Sequence, residues 1–138
     1  MKKQMIKGLI ATAVGMACFS NSALAEEITV WAWDPNFNIA IMEQAAEEYK
    51  KTNPDTTFKI VDFAKADVEQ KLHTMLASGV TSALPDIVLI EDYNAQKYLQ
   101  SYPGSFAPMT DAVDYSQFAP YKVSLMTVKG EVYGLPFD

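Results

Sequence analysis

Ile28-Thr29-Val30-Trp31-Ala32-Trp33 runs directly into Asp34-Pro35-Asn36, and this junction decides the fold. Its first part is rich in β-branched and aromatic residues, which fit a pleated strand. It is apolar at successive positions, as a central strand covered on both faces must be. Asp34-Pro35-Asn36 then stops it: proline cannot donate to a ladder, and Asp and Asn favour turns and helix caps. The same alternation of strand and helix recurs downstream.

A helix is predicted over about 37–51, with Ile41 or Met42, Ala45, Ala46 and Tyr49 as its apolar stripe and Lys50 and Lys51 at its C-terminal end. Residues 56–63 read as a second strand. Asp67 is read as the N-cap of a helix over 68–78 that buries Val68, Leu72, Met75 and Leu76, with Gly79 as its C-cap. Pro85-Asp86 leads into Ile87-Val88-Leu89-Ile90, a continuous apolar run that predicts a buried parallel strand, and a short helix is expected over 93–100. Beyond Ser101 the signal weakens. Residues 109–113 read as a brief helix start, and 121–128 and 131–135 as two short strands joined by a tight turn at Lys129-Gly130. The expected class is α/β with a mostly parallel sheet and flanking helices.

Composition narrows the function. Of 138 residues 49% are hydrophobic, 11 are basic and 17 acidic, for a formal net charge of −6, and every basic residue is lysine. A nucleic-acid binder or a protein of anionic membrane surfaces needs clustered cations, and this chain lacks them. Residues 1–25 read as a secretory signal peptide: Lys2, Lys3 and Lys7, then an apolar stretch, then Ala23-Leu24-Ala25, with cleavage expected between Ala25 and Glu26. Gly15, three places before Cys18, argues against a lipid-modified cysteine. Cleavage removes Cys18, the one cysteine, and suits delivery to the periplasm of a Gram-negative bacterium.

In open α/β sheets ligands bind outside the carboxyl ends of the strands. Two such ends stand out: Trp33-Asp34-Pro35-Asn36 and Glu91-Asp92-Tyr93-Asn94. Aromatic faces stack on sugar rings while carboxylates and amides hydrogen-bond to hydroxyls, so this mixture suits a neutral polyhydroxylated ligand. Trp31 and Trp33 share a strand face by alternation. Trp31 is expected in the core and Trp33 at the rim, as readily against a ligand as against packing. Asp34 is read as a helix cap at least as readily as a ligand contact, and Glu91 and Asp92 as readily as solvated loop acids. Catalytic groups are scarce. His73, the one histidine, sits mid-helix as an exposed residue, no phosphate-cradling glycine loop occurs, and the carboxylates Glu91 and Asp92 are adjacent on one loop, whereas a pair opposed across a glycosidic bond normally comes from different elements.

Four passages carry a family resemblance. They are Ile28-Thr29-Val30-Trp31-Ala32-Trp33-Asp34 after the signal; Glu47-Glu48-Tyr49-Lys50-Lys51-Thr52-Asn53-Pro54; Leu84-Pro85-Asp86-Ile87-Val88; and Val128-Lys129-Gly130-Glu131-Val132-Tyr133-Gly134-Leu135-Pro136. In order and spacing they resemble the extracellular solute-binding proteins of bacterial ABC importers, in the sugar-binding group. The resemblance implies a periplasmic-binding-protein-like (type II) fold of two α/β lobes about a hinge. Residues 26–138 would be most of the first lobe, stopping at the crossover, with the second lobe missing. It also implies a non-enzymatic protein without a cofactor, a monomer at full length, that delivers a sugar or oligosaccharide to membrane permease subunits. By position, Trp33, Asp34, Glu91, Asp92, Phe137 and Asp138 would meet the ligand. Two other classes stay open: a binder of polyamines or metal ions on the same fold, favoured by the acidic strand ends, and a carbohydrate-active hydrolase.

Overall fold

The computed structural model describes residues 26–137. The predicted signal peptide and its cleavage site, and Asp138, lie outside the described residues, apart from Glu26. The chain runs β1 (Glu27–Ala32), a single π turn (Pro35–Ile39), α1 (Ala40–Lys50), β2 (Thr57–Asp62), α2 (Lys65–Ser78), β3 (Ile87–Val88) and α3 (Asp92–Ser101). A 3₁₀ turn (Tyr115–Gln117), α4 (Pro120–Leu125), β4 (Thr127–Val128) and β5 (Glu131–Val132) follow. β1 lies at the centre of a parallel sheet of order β2-β1-β3, with Val30 opposite Ile60 on one side and Ile87 on the other. Because β1 is paired along both edges and covered on both faces, Val30, Trp31 and Ala32 are buried in succession.

The order β2-β1-β3 positions the site. The chain leaves β1 through α1 to one side and returns through α2 to the other, so the direction of winding reverses between β1 and β3. In open α/β sheets the carboxyl ends of two strands flanking such a reversal are where a ligand crevice forms.

Several sequence expectations are corrected. α1 buries only Ile39, in the preceding π turn, and Ala46, whereas Ala45 and Tyr49 are exposed. The buried seam passes through Ile39 and Ala46, seven residues apart on one stripe, and Tyr49 lays its ring edge on Phe58 at 5.7 Å. α2 starts at Lys65, capped by the extended backbone of Ala64, so Asp67 sits in the first turn instead of capping it. There its charge complements the helix dipole. Val68, Leu72 and Leu76 are buried as expected, and Met75 only in part. β3 is paired over two residues instead of four, and Ile87 is 43% exposed. Among the described residues β3 has a neighbour on one side only, so its outer face lacks cover. Amide bonds from Asp86 to Thr29 and from Leu89 to Trp31 extend its grip on β1, and the Asp86 carboxylate accepts from the Thr29 amide at 2.8 Å.

The C-terminal third departs most. Residues 109–113 form turns instead of a helix start, and Pro120–Leu125, overlapping the first half of the strand predicted over 121–128, are helical. Pro120 opens α4 with a preset φ. At its other end the Gln96 amide donates to the carbonyls of Ser124, Leu125 and Thr127, satisfying groups that a helix end leaves open. The predicted hairpin is present but shorter: β4 and β5 pair antiparallel across Lys129 (φ 53°) and Gly130 (φ 86°), the two positive φ angles of a type I′ turn.

Gly79 closes α2 at φ 71°, with its own amide bonded to Leu76 and that of Val80 to Met75. This is the Schellman arrangement. A Cβ on Gly79 would meet no atom within 4 Å, so Gly79→Ala isolates the backbone term. It is expected to destabilise the fold by about 1 kcal/mol, read as a lower urea midpoint at unchanged slope.

Candidate binding site at the strand ends

The segment leaving β1 makes one wall. Asp34 adopts φ 62°, a left-handed conformation uncommon for a side chain larger than glycine, although aspartate tolerates it. Its carbonyl accepts the amides of Phe37 and Ile39, so the backbone, and not the side chain, starts the π turn; the expected side-chain cap is absent. This leaves the Asp34 carboxylate exposed at the mouth of the crevice. Trp31 is 5% exposed with its ring edge against Phe63 at 5.5 Å, as a core residue should be. Trp33 falls beyond the last paired residue of β1 and is half-buried at the rim. Phe37, half-exposed, meets Phe137 at 6.4 Å between ring centroids, so the segment after the β4–β5 hairpin returns to the end of β1.

The segment leaving β3 makes the other wall. Asp34 and Glu91 each lie three residues past the paired Trp31 and Val88, so both loops depart from one edge of the sheet. Glu91 and Asp92 are neighbours in sequence but turn to lysines on different elements. The Lys65 ammonium, at the start of α2, donates to Glu91 Oε1 at 2.9 Å and, over a longer 3.4 Å, to the Tyr93 hydroxyl oxygen. These two hydrogen bonds, Glu91 foremost, hold the Lys65 ammonium above the usual lysine range. On the other side Lys122 of α4 donates to Asp92 Oδ2 at 2.8 Å, and Asn94 donates to Glu69 Oε1 at 3.0 Å. Tyr93 is 64% exposed and leaves a ring face open beside the Lys65–Glu91 pair.

Trp33, Asp34 and Phe137 therefore gather around the end of β1, and Glu91 and Asp92 around the end of β3. Lys65, Lys122 and Phe37 were missed by sequence reasoning. The lysines pair over 26 and 30 positions, a separation with no local signal. His73, expected as an unremarkable exposed helix residue, is exposed, and its Nδ1 lies 2.9 Å from the Tyr102 hydroxyl. Two concavities among the described residues are one of about 420 Å³ along α2 beside Phe63 and Lys71, and one of about 320 Å³ between the end of α3 and the β4–β5 hairpin. Neither contains the predicted site residues, which line an open wall.

Residues 44–138, more than half of the chain, match the family described as bacterial extracellular solute-binding protein. The chain belongs to this family. It is 68% identical over 127 residues to a lactose-binding protein of Rhizobium radiobacter, an alignment covering 92% of this chain and 30% of that relative. Among solved structures, the ABC transporter associated binding protein of B. animalis subsp. lactis Bl-04, in complex with beta-1,6-galactobiose, superposes with a TM-score of 0.65. The two are 28% identical, over 83% of this chain and 26% of that one. An ABC transporter solute binding protein of Agrobacterium vitis S4, with bound D-mannitol, gives a TM-score of 0.65 at 25% identity, over 79% and 26% of the two chains. The chain thus spans less than a third of the length of these relatives. Its parallel sheet and flanking helices are those of periplasmic-binding-protein-like folds, and its family consists of binding proteins.

Proposed function

We propose that this chain forms the first-lobe wall of a periplasmic binding protein that captures a sugar or oligosaccharide and hands it to the permease of an ABC importer, without catalysing a reaction. Residues 1–25 would be its cleavable export signal, and a second lobe would complete the cleft. The observation that carries the reading is the 68% identity to a lactose-binding protein across nearly the whole chain. The strand ends support it independently. An aromatic rim at Trp33, Phe37 and Tyr93 stands beside Asp34, Glu91 and Asp92, the pairing of stacking faces and hydrogen-bond acceptors that a sugar requires. Against the polyamine or metal-ion reading, Glu91 and Asp92 are each paired with a lysine.

The test is calorimetric titration of the intact protein carrying this sequence with lactose, galactobiose, mannitol and p-nitrophenyl galactoside. Saturable heat with one of the sugars and no release of nitrophenol is the expected result. Turnover, or no binding to any, rejects the proposal. Within the same assay Trp33→Ala is expected to weaken sugar binding by about 1 kcal/mol, the contribution of one stacking face, with an unchanged melting temperature.

A further inference from the structure

Glu91 and Asp92, on consecutive residues at the open end of a sheet, would by themselves present two negative charges to the crevice, with the exposed Asp34 carboxylate at its mouth. Such an edge attracts cations. The fold counters this with charges from elsewhere. Lys65 is placed at the first residue of α2, on the loop that follows β2, and reaches across to Glu91 at 2.9 Å. Lys122 reaches from α4 to Asp92 at 2.8 Å. The two acids are adjacent and the two lysines lie 57 positions apart, with α3 between them in the chain. No local feature of the sequence demands this arrangement, and helix α3 does not need it, since acids at its N-terminus are already favoured by the dipole.

Resting on the sugar-binding reading above, we propose that Lys65 determines the ligand class of the site: by neutralising Glu91 it rejects cationic solutes and readies the carboxylate for a neutral polyhydroxylated one. A lysine ammonium has three donors and no acceptor. Lys65 directs one at Glu91 Oε1 and one at the Tyr93 hydroxyl, which sets both groups in fixed positions beside the exposed Tyr93 ring. The remaining donor and Glu91 Oε2 then offer a donor and an acceptor side by side, the complement of a sugar hydroxyl, which both donates and accepts. A cation meets instead a carboxylate already satisfied and an ammonium that repels it. Lys65 is thus a positioning and specificity-determining residue, and replacing it changes which solutes bind.

The experiment titrates lactose and, separately, spermidine into the intact protein and its K65M, K65E and K65R variants at low ionic strength, where screening is weakest. The unaltered protein is expected to bind lactose and to give no saturable heat with spermidine. K65M is expected to lose about tenfold in lactose affinity, the scale of one charge-assisted hydrogen bond, and to acquire spermidine binding. K65E should bind spermidine more tightly still, and K65R should restore the original pattern. Lys65 is half-exposed and its loss should leave the circular dichroism melt in place, so a binding change is not a folding change. If neither K65M nor K65E gains spermidine, or if the unaltered protein already binds it, the inference is overturned whatever the sugar result. If the unaltered protein binds no sugar while K65M and K65E gain spermidine, the proposed function is wrong and the charge selection by Lys65 stands.

Discussion

Trp31→Ala is expected to destabilise the protein by about 3–5 kcal/mol, the usual loss when a core aromatic is truncated. Three features set the size of the effect. Trp31 is 5% exposed near the carboxyl end of the middle strand, so removing the indole opens a cavity that two paired neighbours, β2 and β3, keep from collapsing. The ring packs edge-on against Phe63, an arrangement worth something beyond its area. Lys71 lies 5.0 Å from the centroids of both the Trp31 and Phe63 rings, and loses one of its two aromatic partners. Domains have roughly 5–15 kcal/mol of stability in all, so the variant should be close to unfolded at room temperature. Urea unfolding followed by far-ultraviolet circular dichroism measures it. A loss below about 1 kcal/mol would mean that the indole is not part of the core.

Leu72→Ala should follow closely, at about 2–5 kcal/mol. Leu72 is 2% exposed and forms the cluster under α2 with Leu76 and Tyr98, against which Leu84, Val88, Ile90, Tyr102 and Phe106 pack. That cluster joins α2 to α3 and to the strand that leads into Glu91, so its loss loosens one wall of the crevice as well as the fold. Gln70→Ala, an exposed change on the same helix, is the control and should stay within about 0.5 kcal/mol. Equal melting temperatures for L72A and Q70A would contradict the assignment of that helix face. Sugar binding at saturating ligand should recover part of the lost stability of L72A, because a ligand that binds only the folded state shifts the equilibrium toward it.

The strand-end site was partly readable in advance. Trp33-Asp34 and Glu91-Asp92 were found from one rule, that ligands meet an open parallel sheet at its carboxyl edge, and the structure does bring both segments to that edge. The state of the carboxylates was not readable. Glu91 and Asp92 look alike in sequence, yet one answers to α2 and the other to α4. The acidic edge that favoured a cation in the sequence is the edge that the lysines neutralise in the fold. Phe37 was hidden for another reason. The helix predicted over 37–51 does not anticipate the π turn over Pro35–Ile39, on which Phe37 sits.

Short-range physical chemistry determined most of the elements. A β-branched run stopped by Asp34-Pro35, a glycine at positive φ after α2 and Lys129-Gly130 between two short strands each act through the backbone of a few residues, and each is visible in the chain itself. The family, too, was legible from four such passages in order. Tertiary structure alone decided what depends on a distant partner. Residues 120–125 carry strand formers yet become helix, because Pro120 presets one end and Gln96, from α3, satisfies the carbonyls at the other. Ile87 belongs to an apolar run yet is exposed, because burial needs a neighbour and β3 has one on a single side among the described residues. The charge of the site belongs with these: an ion pair is a property of two groups in space, and Lys65 and Glu91, 26 positions apart, meet at 2.9 Å where the segments after the parallel strands β2 and β3 leave the same edge of the sheet.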